Sequence, residues 1–276
     1  MPVQTPIPRR VGVDSYAYHR LLGETRPAET PPSHRFAHGS LDVVGEARML
    51  ELDFALLQTS LLGAPSDFAA DAYLTEADGL ALGLSWGAPD GFAFGDRREA
   101  LGDLLAWVAH AAALPLHCVR IVAGGPAHRG RDAAPVVPLL REACAAARDL
   151  GLTLALENHG DLTAAQVIHL LEEVDDPRLR VCFDTANALR VGDDVAAAAR
   201  ELAPFVELVH LKDCLGFWDD AATGPISVAP GQGVIPLGSV LAACPQALVC
   251  IELGQLPAKA DERSLVGTYV EYLRSR

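Results

Sequence analysis

LTLALENH (152–159), LRVCFDTAN (179–187), FVELVHLKD (205–213) and ALVCIELG (247–254) are four apolar runs that each reach a residue able to bind a metal. Those residues are Glu157, Asp184, His210 and Glu252, separated in turn by 27, 26 and 42 positions. The first two spacings are those of one strand plus one helix. The runs are continuously apolar rather than alternating, as strands buried on both faces are. Parallel strands joined by helices bring their C-terminal ends to one rim. The four polar residues are therefore expected to converge on one point.

Working outward, four more runs precede these: 10–18 (RVGVDSYAY), 54–60 (FALLQTS), 80–86 (LALGLSW) and 117–124 (HCVRIVAG). Between the runs lie segments with helical periodicity, at 96–114, 135–152, 163–174 and 193–205, and a last one at 261–276. Thr163 is a plausible N-cap and Gly151 a helix stop. Strands alternating with helices argue for an α/β fold with parallel pairing. A count of eight favours a closed (β/α)8 TIM barrel, one domain over 1–276, whose usual size is roughly 250 residues. Two stretches break the rhythm, 20–45 after strand 1 and 214–235 after strand 7. Both are expected as long loops on the C-terminal rim, where they would shape a pocket.

The chain has 276 residues, 50% hydrophobic, with a formal net charge of −14. An acidic surface repels a phosphate backbone, so nucleic acid is not an expected partner. The six cysteines contain no C-x-x-C pair, and three lie inside strand runs as small apolar residues, which suits reduced thiols in a cytoplasmic chain. Neither an apolar leader at the N-terminus nor a run of ~18 apolar residues is present, so no signal peptide and no membrane span are expected.

Three carboxylates and one imidazole form a hard, mixed ligand set suited to a single Mn²⁺, Mg²⁺ or Co²⁺, with Zn²⁺ not excluded. Without a cation such carboxylates would repel one another. Side chains at i and i+2 share a face of a strand. His159 therefore accompanies Glu157, and Lys212 accompanies His210, each within reach of a substrate. Lys212 as partner of a nearby carboxylate is an equal reading, and Asp213 is expected behind the ligands. Asn187 is a candidate donor to a sugar oxygen, or a loop cap. Tyr16, His19, Trp86 and Trp218 are candidates to pack on a sugar's apolar face, although buried aromatics are more often core. Arg120, within strand 4, could contact substrate or pair with a carboxylate. Arg190 could meet an anionic group or face Asp193 or Asp194. The GQG at 231–233 is a turn signal only.

The motifs LALENH, CFDTAN, VHLKD and CIEL resemble those of the sugar phosphate isomerase/epimerase family, the xylose-isomerase-like TIM barrels. The resemblance covers nearly the whole chain and is sharpest over 152–254. It implies that Glu157, Asp184, His210 and Glu252 bind one divalent metal. It further implies that Glu157 and Glu252 act as an acid/base pair beside a carbonyl, through an enediolate stabilised by the metal. The substrate class implied is a small sugar or polyol, and relatives are often homo-oligomers. Two departures stand out: Asn187 occupies a position where ketose epimerases usually carry a His, and no Arg follows His210 closely. The same Asn187, and the lack of further His ligands, argue against an endonuclease IV-like apurinic endonuclease.

Isomerase or epimerase is the first reading. A lyase on the same scaffold is the second, removing water from an inosose or an aglycone from a 3-oxo-C-glycoside. A non-catalytic partner subunit is the third, disfavoured because all four ligands are present.

Overall fold

The computed structural model describes residues 9–26, 29–88, 90–216, 226–257 and 259–276. Eight parallel strands run β1 (Val11–Asp14), β2 (Phe54–Gln58), β3 (Ala81–Ser85), β4 (Cys118–Val122), β5 (Thr153–Glu157), β6 (Leu179–Asp184), β7 (Val206–Leu211) and β8 (Leu248–Ile251). They close into a barrel, with β1 paired to both β2 and β8. Each of the eight apolar runs contains one strand, so the closed TIM barrel expected from the sequence is the fold.

The apolar runs reflect two different environments on alternate residues. One set faces outward and packs under the helices: Val13, Leu57, Leu84, Ile121, Leu156, Phe183, Val209 and Ile251 all belong to the main core. The other set fills the barrel interior with Phe54, Leu56, Cys118, Ala155, Cys182, Leu208 and Cys250. Gly12 and Gly83 belong to it too, because a side chain on either would strike Phe54 or Leu56. The six cysteines are buried free thiols, three of them used here as small filling.

Two residues beyond this apolar floor, every strand presents a polar residue: Asp14, Gln58, Ser85, Arg120, Glu157, Asp184, His210 and Glu252. The periodicity of the strand thus builds a polar layer directly on an apolar plug.

Around the barrel lie α1 (Ser40–Met49), α2 (Ala70–Ala77), α3 (Ala100–Ala111), α4 (Val137–Asp149), α5 (Ala164–Val174), α6 (Thr185–Arg190), α7 (Val195–Leu202), α8 (Leu237–Ala243) and α9 (Glu262–Arg274). Thr163 caps α5 and forms a reciprocal capping box with Gln166. Asp194 and Asp261 accept backbone N–H bonds as N-caps of α7 and α9. Gly151 follows α4 with φ +72°, as a helix stop requires.

Three expectations need correction. The run 10–18 is not one strand: β1 ends at Asp14, whose carboxylate accepts from Tyr16 N–H and starts a 3₁₀ turn over Ser15–Tyr18. The stretch 20–45 is not loop throughout: α1 begins within it at Ser40, after the N-cap Gly39. The loop after β7 contains a short antiparallel pairing of Asp213–Cys214 with Ser227–Val228.

Candidate metal centre

Glu157, Asp184, His210 and Glu252 come together at the C-terminal mouth of the barrel, each 8% exposed or less. One ligand atom from each lies within 4.8 Å of all the others. Asp184 and His210 are register partners on neighbouring strands, and Glu252 follows directly after β8.

Each candidate ligand is held by a named partner. Arg120 Nε donates to Glu157 Oε2, and Arg120 Nη1 donates to the Trp86 carbonyl at 2.9 Å. Asn187 Nδ2 donates to the other oxygen, Glu157 Oε1, at 3.0 Å. Asp184 Oδ1 caps α6 by accepting from Ala186 and Asn187 N–H, both at 2.9 Å. Its second oxygen, Oδ2, points back into the cluster. His210 Nδ1 sits 2.6 Å from Glu252 Oε2 and 3.3 Å from Glu157 Oε2. Lys212 Nζ lies 2.7 Å from Asp184 Oδ2 and 3.1 Å from Glu252 Oε2.

The electrostatics follow from burial against these contacts. Burial raises the Glu157 carboxyl, but Arg120 and His210 outweigh it and hold the group well below the usual carboxylate range. Burial likewise opposes ionisation of Glu252, and Lys212 with His210 reverses it, leaving the carboxyl below its ordinary value. Asp184 goes the other way: burial pushes it up to about 6 despite Lys212. His159 is pushed down to about 4 by burial and is neutral at pH 7.

The donor set fits a divalent cation. Among the described residues, Asp184 Oδ2, Glu252 Oε2 and both ring nitrogens of His210 are buried without an aligned hydrogen-bond partner, although charged neighbours stand within ion-pair distance. Such atoms are costly to leave unmatched. Glu157, Cys182 and His210 form an overlapping trio. Burial pushes the Cys182 thiol up to about 11, so it stays protonated and the oxygen-rich set is the better cage.

Above the cluster opens a cavity of about 370 Å³, lined in part by Arg120, His159, Asn187, Lys212 and Tyr16. His159 Nδ1 lies 3.3 Å from the Gly124 carbonyl. Tyr16 donates its hydroxyl to Glu24 Oε1 at 2.6 Å. Trp86 is not a cavity residue. Its indole is fully buried against Phe92, with ring centroids 5.1 Å apart, and its Nε1 donates to Asp103 Oδ2 at 2.7 Å. Its contribution to the site is the carbonyl that steadies Arg120. His19 is also withdrawn from the cavity, its Nε2 2.9 Å from Glu29 Oε1. Trp218 lies outside the described residues. Asp213 stands behind the four-residue cluster and accepts from the N–H groups of Cys214, Gly231, Gly233 and Ile235.

The sequence reading missed three residues. Asp14 lies 3.9 Å (Oδ2) from His210 Nε2, and burial raises its carboxyl. Asn158 accepts from Asp184 N–H at 2.7 Å and donates to the Asp184 carbonyl at 3.0 Å. Thr185 Oγ1 donates to the Lys212 carbonyl at 2.7 Å. Asp14 could have been found by counting two residues on from the inward Gly12.

A family model described as xylose isomerase-like TIM barrel matches residues 58–244. The chain belongs to this family. As a xylose isomerase-like barrel it is similar to two curated proteins over short stretches. One is the uncharacterized protein YihM of Escherichia coli (strain K12), 31% identical over 94 residues, 34% of this chain and 29% of that protein. The other is 2-epi-5-epi-valiolone 7-phosphate 2-epimerase of Actinoplanes sp., 43% identical over 75 residues, 27% of each chain. Less than a third of either relative's length is thus matched. Among solved structures, D-allulose 3-epimerase from Methylomonas sp. superposes with a TM-score of 0.71, covering 99% of both chains at 16% identity. At that identity the likeness concerns the fold. No helix among the described residues is long and apolar enough to cross a membrane.

Proposed function

We propose that this chain is a divalent-metal-dependent enzyme that isomerises or epimerises a small sugar or polyol by moving a proton at a carbon beside a carbonyl. The observation that carries the reading is the cluster of four ligand atoms within 4.8 Å at the floor of an open cavity. Glu157, Asp184, His210 and Glu252 would hold the ion, with manganese the best match and magnesium, cobalt or zinc as alternatives. When bound, the cation would supply electrostatic stabilisation of negative charge on the substrate's oxygens.

The chain's own residues supply the rest. Glu157 and Glu252 rest ionised, so each can accept a proton at a carboxylate oxygen. Arg120 and Asn187 grip Glu157 from two sides and fix the direction in which it faces. Lys212, beside Glu252, is held as an ammonium by the surrounding carboxylates and would donate a hydrogen bond to a substrate hydroxyl. His159 and Tyr16 line the cavity and would orient the sugar.

The second reading is a lyase, and Lys212 is the observation that favours it. An ammonium 3.1 Å from the proposed base could hydrogen-bond to a departing hydroxyl and stabilise the charge it gains on leaving. Metal-stripped and Mn²⁺-loaded protein, incubated in D₂O with keto sugars, inososes and 3-oxo-glycosides, separates these outcomes. Metal-dependent deuterium uptake with isomerised product supports the first reading. Released water or aglycone supports the second, and undiminished turnover after stripping sinks both.

A further inference from the structure

His210 is the one imidazole of the four-residue cluster, and its two nitrogens face different groups. Nδ1 is turned into the cluster, 2.6 Å from Glu252 Oε2 and 3.3 Å from Glu157 Oε2. Nε2 is turned toward β1, where Asp14 Oδ2 lies 3.9 Å away. The strand register brings them together. Val13 pairs with Ile251 and Cys250 with His210, so Asp14 stands in the polar layer beside Glu252, two strands from His210.

Asp14 is anchored from its other side, where Oδ1 accepts from Tyr16 N–H at 2.7 Å. Among the described residues neither Asp14 Oδ2 nor His210 Nε2 has a hydrogen-bond partner, although both side chains are buried. A buried acceptor and a buried ring nitrogen thus face each other without a bond. Such atoms are costly to leave unmatched. A tilt of the ring by about 1 Å closes the gap to an ordinary N–H···O distance. The Cys182 sulfur also lies within 4.8 Å of a His210 ring nitrogen, but a thiol is a weak acceptor. A carboxyl oxygen of Asp14 can accept whether or not the group is ionised.

A histidine that gives one nitrogen to a metal donates from the other to a carboxylate, a carbonyl or water, and that bond fixes the tautomer. We propose that Asp14 is the outer partner of His210, accepting from Nε2–H so that the Nδ1 lone pair is kept for a divalent cation. Asp14 is a positioning residue that acts through His210. The inference rests on the metal reading of the cluster. It gives β1 a part in a site whose candidate ligands come from β5 to β8.

The test pairs Mn²⁺ calorimetry on metal-stripped native protein and Asp14→Ser with ¹⁵N spectra of histidine-labelled, Zn²⁺-loaded native protein. Serine can still cap the turn that Asp14 opens, so the stripped variant should unfold at the native temperature. Its Mn²⁺ affinity should fall by about 10–100-fold, the usual effect of losing an outer partner. The spectra need no change at Asp14 and decide alone if the variant folds poorly. His210, identified among the nine histidines by its loss in His210→Gln, should carry a proton on Nε2 and the ion on Nδ1. A proton on Nδ1, or native Mn²⁺ affinity in Asp14→Ser, would overturn the inference and leave the metal reading standing. A native chain that binds no ion overturns both, so the two failures are distinguishable.

Discussion

Lys212 and Asp184 form a buried ion pair, 2.7 Å from Nζ to Oδ2, inside the set of residues proposed to hold a metal. The ammonium does for the unloaded protein part of what a cation would do for the loaded one, offsetting carboxylates that would otherwise repel. Lys212→Met should therefore destabilise metal-stripped protein by about 3 kcal/mol, the usual scale for removing one partner of a buried pair. Added Mn²⁺ should recover a large part of that loss. Urea unfolding with EDTA and with Mn²⁺ measures both, and an equal loss under the two conditions would count against the shared role.

Glu157 and Glu252 should separate by mutation. Each Glu→Gln change is expected to lower substrate deuterium exchange by about 10²–10⁴, the scale of positioned acid–base catalysis. Glu157→Gln should also cost stability, because it leaves the buried Arg120 guanidinium without its carboxylate. Glu252→Gln should cost less, since the Lys212 ammonium keeps Asp184. Exchange monitored by mass spectrometry, beside thermal unfolding, checks the pair.

Asp161 should make the protein less stable as pH rises. Burial raises its carboxyl from 3.8 to about 6, and its Oδ2 has no hydrogen-bond partner among the described residues. Between these values the folded state binds more protons than the unfolded state, so stability falls as pH increases through that window. Asp161→Asn should stabilise the protein by on the order of 1–3 kcal/mol at pH 7.5 and by almost nothing at pH 3.5. Denaturant midpoints at the two pH values decide it, and a pH-independent difference would contradict it.

Asp213 should act through the loop rather than through the metal. Its carboxylate gathers four backbone N–H groups, three of them from 231–235. Asp213→Ala is expected to cost about 3 kcal/mol by leaving buried donors unmatched. Amides of 231–235 should exchange faster with solvent while Mn²⁺ affinity changes little. Unchanged exchange there would remove the role.

The barrel and four of its rim residues were legible in the sequence because a strand buried on both faces leaves a continuous apolar run. A polar residue at the end of such a run is conspicuous, as Glu157, Asp184 and His210 are. Asp14 was hidden because the apolar Tyr16, Ala17 and Tyr18 continue the run through a 3₁₀ turn, which masks the true strand end. Trp86 was misread for the opposite reason. An aromatic just past a strand looks like a rim residue, but α3 offers Asp103 to its indole and draws it into the core. Arg120 could have been read either way, and its bond to Glu157 depends on which strands are neighbours. Asn158 and Thr185 act through partners 26 and 27 residues away, which no local pattern encodes.

Titration of metal-stripped protein with Mn²⁺ by calorimetry tests the central claim most directly. The account predicts one ion per chain, with binding weakened by about 10²-fold or more in Asp184→Asn and in His210→Gln, since each loses a ligand and not an outer partner. No binding to the native chain, or binding that both variants leave intact, would contradict it.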